Sequence, residues 1–235
     1  MRSKKLHKQP FEPCYVIHQQ PYLERKLRLS LLCQSHGLVH AIANKPSRKK
    51  GPIQLFTPMS VQLSMGKQLA TVHAIEPTGY LPMLTGKALL AGMYFNELIY
   101  RLCSPHNDGA PLFELYQSHL ASILQPQQRQ QHIRQFEYRL QTLLGFALDY
   151  TCLESTAVWF HYDPAHGLQP TNAHNPEKIP RNYVEKLAQQ DWDDPVAGQT
   201  SKHIFAKVIH NLLGAHALAI TNLLQKPGST TPLQS

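Results

Sequence analysis

Fourteen histidines are the residues that most directly suggest metal binding or acid–base chemistry. His36 and His40 are four residues apart, but Gly37 between them predicts a turn. They therefore do not share the helical face on which such a pair binds zinc. His161 and His166 flank a predicted loop in which the sequence fixes no third ligand. We interpret the histidines as surface or partly buried side chains, and we predict no metal site and no cofactor.

Catalytic groups of other kinds are equally incomplete. Cys152 and His161 would make a nucleophile and a base, yet no third group is placed to orient the base. Three aspartates surround Trp192, and this pattern suits a solvated acidic loop at least as well as an acid–base pair. The sequence predicts a protein that is not an enzyme, and a hydrolase that uses Cys152 or the histidines stays as an alternative.

Clustered cations carry a more specific signal. Four of them lie in a stretch with proline and glycine, residues 44–52, between two predicted strands. Arg25 begins an earlier predicted strand, on which Lys26 and Arg28 point to the same face. Local charge of one sign on a predicted barrel favours nucleic acid over a merely solvated loop. The predicted nucleic-acid contacts are Arg25, Lys26, Arg28, Lys45, Arg48, Lys49 and Lys50.

Aromatic residues are interleaved with these cations, namely Tyr15, Tyr22 and Phe56. Cations follow a phosphate backbone while unpaired bases stack on aromatic faces, so the combination is typical of sequence-tolerant binding to single strands. The alternative is that Tyr15 and Phe56 fill the core of the barrel. For Phe56 this packing role is the preferred interpretation.

The charge distribution along the chain also supports a separate module that binds nucleic acid. The chain has 235 residues, of which 42% are hydrophobic and 16% charged, as expected for a folded soluble protein. Residues 1–80 carry 12 Lys/Arg and 3 Asp/Glu, a net charge of +9, whereas residues 81–235 carry 11 and 12, a net charge of −1. This asymmetry predicts that one module faces a polyanion, with nucleic acid and anionic membrane as the candidates.

Segments that direct a chain to other compartments are not evident. No apolar run approaches the ~20 residues of a spanning helix, and no apolar segment follows the N-terminal charges. Four cysteines without a C-x-x-C pair predict reduced, mostly buried thiols. We expect a cytoplasmic protein with no membrane partner.

From residue 14 to about 76, apolar residues recur with a period of two, which is typical of half-buried strands. Gly37 is free to adopt a positive φ in the turn at 35–38. Five short antiparallel strands must cover their edges, and a closed barrel does so, so residues 1–80 are predicted to form an OB-fold. The predicted strands cover 14–18, 26–31, 38–44, 60–65 and 68–76.

After Pro77 and Pro82 the period becomes helical, which predicts a second domain over 81–235. Within it, residues 150–200 contain five prolines and little periodicity, and we predict an irregular insertion there. The predicted fold class is α+β, with an N-terminal five-stranded OB-fold barrel followed by a mostly α-helical C-terminal domain. The predicted helices cover 89–102, 112–123, 133–144 and 202–224.

Five stretches, in order along the chain, resemble motifs of the RecO family of bacterial recombination mediators. Any one of them is unspecific, but the ordered set is strong. They are YVIHQQPYLE at 15–24, HGLV at 36–39 followed by the basic loop, QLFTP at 54–58, YFNEL at 94–98 and RQFEYRLQTLLGF at 134–146.

The resemblance implies an OB-fold joined to a helical domain, without enzymatic turnover. It implies binding to single- and double-stranded DNA, annealing of complementary strands, and help in loading RecA together with RecR and single-strand-binding protein. The acidic C-terminal tail of that last protein is expected to bind among the helices. Arg134 matches the first basic position of the family's helix, and Arg139 and Arg101 are further candidates for that tail.

The sequence also departs from the family pattern. Many members carry a zinc-binding cysteine cluster in the region of 152–200, where only Cys152 remains, so zinc is not expected. Basic residues of the family are absent at 217–221, and Gln135 replaces a frequent basic residue. An RNA-binding or ribosome-associated OB-fold protein remains the alternative function, since the same charge and barrel would allow it.

Overall fold

Alternating apolar residues build a closed five-stranded barrel in the first part of the described chain. The computed structural model describes residues 10–46, 51–105 and 109–213. Around the barrel the order is β1-β2-β3-β5-β4, with β3 and β5 parallel. The predicted OB-type barrel and the α+β fold class are confirmed. The strands are β1 (Glu12–Leu23), β2 (Lys26–Cys33), β3 (Gly37–Asn44), β4 (Met59–Ser64) and β5 (Ala70–Pro77).

The period of two decides which side chains fill the barrel. Leu29, Leu31 and Cys33 of β2 point inward and are fully buried in its core. Cys14 of β1 lies opposite Cys33 in the strand register, and both are free thiols. The contact with the Cys14 thiol, together with burial, raises the pKa of Cys33. The Cys33 sulfur therefore packs as a neutral, weakly polar group.

Two helices, α1 (Gly86–Leu102) and α2 (Gly109–Ser122), cover part of the outer face of the barrel. The ring centroid of Tyr15 lies 5.5 Å from that of Phe113 and 5.1 Å from that of Tyr116, both on α2. Tyr15 is buried by these contacts. A base-stacking role for Tyr15 is therefore wrong, because α2 occupies the space next to its ring.

Phe56 also has a packing role. Its backbone φ is +66°, and its ring lies against α1, where a Cβ added at Gly92 would be 3.0 Å from Phe56 Cε1. The preferred interpretation that Phe56 fills the core of the barrel is wrong, because its half-buried ring lies against α1 and outside that core. Among the aromatic residues singled out from the sequence, Tyr22 is the one that stays exposed.

A buried pair of hydrogen bonds fixes both helices to the barrel. Asn96 Nδ2 on α1 donates to the carbonyl oxygen of Ile17 at 2.9 Å, and the Tyr116 hydroxyl donates to Asn96 Oδ1 at 2.6 Å. Burial raises the pKa of Tyr116 well above its ordinary value, so the hydroxyl remains a donor. Leaving a buried polar group unsatisfied costs about 1–3 kcal/mol, so this arrangement selects one docking position for the helices.

A second compact unit begins at Gln125. Its three strands form a small antiparallel sheet in the order β7-β6-β8. Helices of this unit pack on one another, α3 against α5 and α4 against α5. The elements are α3 (Arg129–Leu143), β6 (Trp159–Asp163), β7 (Gly167–Thr171), β8 (Ile179–Pro180), α4 (Arg181–Ala188) and α5 (Pro195–Leu213).

The expectation of an irregular insertion over 150–200 is therefore wrong. Phe160, Tyr162 and Leu168 are buried side chains of a β-hairpin. Gly167, with φ +73°, closes its turn, and Asp163 accepts hydrogen bonds from backbone N–H groups within that turn. The hairpin is short and its second strand contains a proline, so its period of two is weak in the sequence.

The last helix begins earlier than predicted. It starts at Pro195 instead of 202 because the Asp194 carboxylate accepts the N–H of Val196 at 2.8 Å, which caps the helix. The helix is described as far as Leu213, and its predicted extension to 224 lies outside the described residues.

The first compact unit runs through α2 to Leu124 and so contains two helices as well as the barrel. The division of the sequence at residue 80 marks the change from a strand period to a helix period. The compact unit does not end at this change of period, because α1 and α2 cover apolar side chains on the outer face of the strands. The domain division at 80/81 stays a prediction.

Candidate nucleic-acid interface

The turn between β1 and β2 and the end of β3 bring three predicted contacts together. The backbone N–H of Lys45 donates to the carbonyl oxygen of Arg25 at 2.9 Å, and Lys45 Nζ donates to that of Glu24 at 2.7 Å. Arg25 lies in the two-residue turn, not at the start of the strand as predicted, and Lys26 is the first residue of β2. All three cations are exposed at one end of the barrel.

Arg28 extends this cationic end along the outer face of the barrel. Leu29 points into the core, so Lys26 and Arg28 share the outer face, as the strand pattern predicts. In the register, Arg28 lies between Gln20 of β1 and Ile42 of β3, and it is half-buried. A permanent positive charge therefore stands in the middle of the three-stranded face β1-β2-β3.

The next row of this face contains polar residues that the sequence analysis did not assign to it. His18, Ser30 and His40 are aligned across β1, β2 and β3, and Ser30 Oγ lies 3.0 Å from His40 Nδ1. The ring of Tyr100 on α1 stacks on His18 with centroids 4.6 Å apart. Strand alternation is the only sequence signal for this row. The alignment of the three residues depends on a register shift between Val16 and His18, which the alternation does not predict.

Lys67 is a cation that the sequence analysis did not single out. It is exposed in the loop between β4 and β5, just before Ala70, which pairs with Ala41 of β3. Binding faces of OB-folds are built from the second and third strands with the β1–β2 and β4–β5 loops. Arg25, Lys26, Arg28 and Lys67 all lie on these elements. A single lysine in a turn gives no pattern from which this position could be found.

A cleft of about 490 Å³ opens beside the cationic end. Its walls come from the end of β3, the segment 51–57 and β5, and Lys45 lies on its edge. Ile53 and Met59, which belong to the core of the barrel, line its floor. Arg48, Lys49 and Lys50 lie outside the described residues, between Pro46 and Gly51, which both line the cleft.

Two family models match consecutive parts of the chain, from residue 11 to residue 156. One described as Recombination protein O N terminal matches residues 11–81, and one described as Recombination protein O C terminal matches residues 83–156. The chain belongs to the recombination protein O (RecO) family. Membership in the RecO family places it among proteins of DNA repair and recombination.

Individual RecO relatives are similar over nearly the whole chain. The DNA repair protein RecO of Hahella chejuensis is 27% identical over 231 residues, which cover 94% of this chain and 97% of the relative. That of Burkholderia pseudomallei is 28% identical over 228 residues, or 91% of this chain and 82% of the relative. That of Coxiella burnetii is 28% identical over 224 residues, with 91% and 96% covered. Within the described ranges, no helix has the length and apolarity needed to span a membrane.

The arginines expected from the RecO resemblance to hold an acidic tail have different surroundings. Arg134 Nη1 lies 2.6 Å from Glu137 Oε2, and their side chains are only 15% and 1% exposed. The stem of Arg134 also lies near Gly198 of α5. An incoming carboxylate would have to compete with Glu137 for this guanidinium. Arg139 is exposed, whereas Arg101, in the first unit, lies 3.5 Å from Glu97.

Three of the histidines singled out from the sequence, His36, His40 and His166, have a side-chain partner nearby. His36 Nδ1 lies 2.6 Å from Glu12 Oε1, and His166 Nδ1 lies 2.9 Å from Asp163 Oδ1. His36 and His40 bond to different residues, so they do not form a common site. Over the part of the chain that the structure describes, no three His, Cys, Asp or Glu side chains are arranged to hold a metal ion.

Cys152 and the acidic residues near Trp192 are also accounted for by local structure. Burial, followed by the nearby Asp149 carboxylate, raises the pKa of Cys152, so the nucleophilic thiolate is disfavoured. Asp194 caps α5 and pairs with Lys186, which lowers its pKa. Asp193 accepts a hydrogen bond from Gln131 at 2.9 Å. These contacts favour structural roles over catalysis.

A group of titratable residues in the second unit predicts acid sensitivity. Burial and then the charge of Lys207 lower the pKa of His203, while Glu177 opposes them. Glu177 accepts a hydrogen bond from Lys207 at 2.8 Å, and its carboxylate also interacts with His161. A lowered folded pKa means that the unfolded state binds more protons. Stability of this unit is therefore expected to fall as the pH decreases below about 6.5, the unfolded value for histidine.

Replacing His203 by Gln is expected to reduce this loss of stability between neutral pH and about pH 5. Both tryptophans, Trp159 and Trp192, lie in the second unit, so their fluorescence reports its unfolding in denaturant. His210→Gln, at an exposed position of the same helix, is the matched control. An identical pH dependence in wild type and His203→Gln would contradict the assignment.

Proposed function

We propose that this chain is a non-catalytic mediator of recombinational DNA repair that binds single- and double-stranded DNA and anneals complementary strands. The observation that carries the proposal is the cationic end of a barrel in a member of the RecO family. Arg25, Lys26 and Lys45 converge there, and Arg28 continues the charge along the outer face. The segment with Arg48, Lys49 and Lys50 adds three further cations to the same part of the sequence.

Annealing requires two strands to approach each other despite their charge while their bases remain free to pair. Cations on an exposed strand face neutralise phosphates without contacting base edges. The positive charge is concentrated in residues 1–80, so this module is the part of the chain suited to that task. Nothing in such a mechanism requires a bond in the DNA to be made or broken.

The same proposal includes protein partners. Acting with RecR and single-strand-binding protein, the chain would help to load RecA on single-stranded gaps in the nucleoid. Arg139, exposed on α3, is suited to pair with carboxylates of the tail of single-strand-binding protein. Arg134 could join it by exchanging its Glu137 partner, and Arg101 is a third candidate on the first unit.

The test measures the annealing of two complementary oligonucleotides, each coated with single-strand-binding protein. Fluorescence energy transfer between the two strands monitors duplex formation. The chain is expected to accelerate duplex formation, and deletion of the tail from the coating protein should abolish the acceleration. Binding to the bare oligonucleotides should weaken steeply with salt. No acceleration, or salt-independent binding, would contradict the proposal. A strong preference for RNA in competition would favour the ribosome-associated alternative.

A further inference from the structure

The tip of the β1–β2 hairpin exposes an aromatic ring next to cations. Pro21 pairs with Leu27 and Leu23 with Lys26, so the strand register shifts at Tyr22. Such a bulge turns a side chain away from the regular alternation of the strand. Tyr22 is 51% exposed and Leu23 is 57% exposed. An apolar pair is therefore held in solvent at the end of a hairpin.

The tip is anchored to the rest of the barrel. The backbone and the side chain of Lys45 donate to the carbonyl oxygens of Arg25 and Glu24, which form the turn. These two bonds tie the hairpin to the end of β3. An anchored backbone loses less conformational freedom when a ligand binds to the side chains that it carries. The hairpin therefore presents Tyr22 from an anchored turn.

Charge around the tip identifies the ligand. Arg25 and Lys26 are exposed and follow Tyr22 and Leu23 after one intervening residue, and Lys45 lies beside the turn. Glu24 is the single acidic residue from 21 to 28. An apolar protein partner would need no cations around the ring, whereas unpaired bases carry phosphates with them. Aromatic faces with cations along the backbone are the elements of single-strand binding.

We propose that Tyr22 stacks on an unpaired base of a single-stranded nucleic acid whose phosphates contact Arg25 and Lys26. This inference rests on the proposed DNA binding and adds to it a preference for unpaired strands. In a duplex the bases are already stacked on one another, so the Tyr22 ring gains no contact there. Arg25 and Lys26 attract the phosphates of single strands and duplexes alike, whereas the Tyr22 ring favours single strands.

The experiment compares binding of wild type and Tyr22→Ala to a dT oligonucleotide and to a duplex of equal length, at several salt concentrations. Loss of one stacked base is expected to weaken single-strand affinity roughly 5- to 150-fold with an unchanged salt slope, and to leave duplex affinity unchanged. Tyr22→Trp should retain the affinity. Tyr80→Ala, which removes another exposed tyrosine of the first unit, is the matched control.

The outcomes separate this inference from the proposed function. If wild type binds with a steep salt slope but Tyr22→Ala binds single strands equally well, stacking at the tip is wrong while the proposed function stands. If wild type does not bind at all, the proposed function itself fails. In Tyr22→Trp, the added indole fluorescence should be quenched by the single strand beyond any change in wild type. Absence of that quenching would also overturn the stacking.

Discussion

Alanine at Lys45, Arg48, Lys49 and Lys50 together is expected to lower the affinity for a single-stranded oligonucleotide about a hundredfold near physiological salt. Each lost phosphate contact removes about 0.7 from the slope of log K against log salt concentration, so the slope should decrease by about 3. Fluorescence anisotropy titrations over a range of salt concentrations measure both quantities. Annealing of bare complementary strands should slow in parallel, because it depends on the same neutralised phosphates.

A matched variant removes the same number of charges elsewhere. Lys87, Arg101, Arg139 and Lys202 are exposed cations on helices, and their replacement by alanine should leave the slope unchanged. Lys45 also bonds to Glu24, so a triple variant that retains Lys45 separates charge from turn geometry, with an expected decrease of about 2 in the slope. If the four helix substitutions and the four substitutions at 45–50 lowered the salt slope equally, net charge alone would govern binding.

The Gly109→Ala substitution is expected to destabilise the first compact unit by about 1–3 kcal/mol or more. A Cβ at this position would lie 2.4 Å from the backbone nitrogen of Gly37 and 2.7 Å from the carbonyl oxygen of Gln34. Both are main-chain atoms of the β2–β3 turn, so no flexible side chain can move aside. Either the start of α2 or the turn must shift, and the Tyr116 hydroxyl would then lose its alignment with Asn96.

Hydrogen exchange at the amides of β2 and β3 measures this effect, since the tryptophans lie in the other unit. The control is Gly198→Ala in α5, where the added Cβ would meet only Arg134 Cγ at 3.7 Å. Alanine has the higher helix propensity, so Gly198→Ala should stabilise the second unit by up to about 1 kcal/mol. Unchanged protection of β2 and β3 in Gly109→Ala would refute the close packing of α2 on the turn.

Strands with strict alternation could be predicted from the sequence, and those without it could not. β4 alternates from Met59 to Ser64, and its burial alternates in step with the sequence. The hairpin of β6 and β7 has only two or three inward residues and includes Pro170, which obscures the pattern. Its turn depends on Gly167 and on the hydrogen bonds of Asp163, which are local contacts that periodicity does not capture.

The candidate site was predictable to a similar extent. Clustering along the chain identifies cations such as Lys26 and Arg28. Strand alternation then places these two on one face. Clustering cannot find Lys67, which lies alone in the β4–β5 loop. It also cannot distinguish Tyr15 from Tyr22. Helix α2 buries one ring and a register shift exposes the other, and both depend on tertiary structure.

The docking of α1 and α2 on the barrel has a consequence for how this chain is made. Tyr15 and Leu32 are buried on the outer face of the first strands, yet the helix that contacts Tyr15 ends only at Ser122. On the ribosome, these side chains stay uncovered for the seconds needed to translate the intervening residues. The barrel sequence is thus complete well before its apolar exterior is protected. The nascent chain passes through an interval in which association with other chains competes with folding.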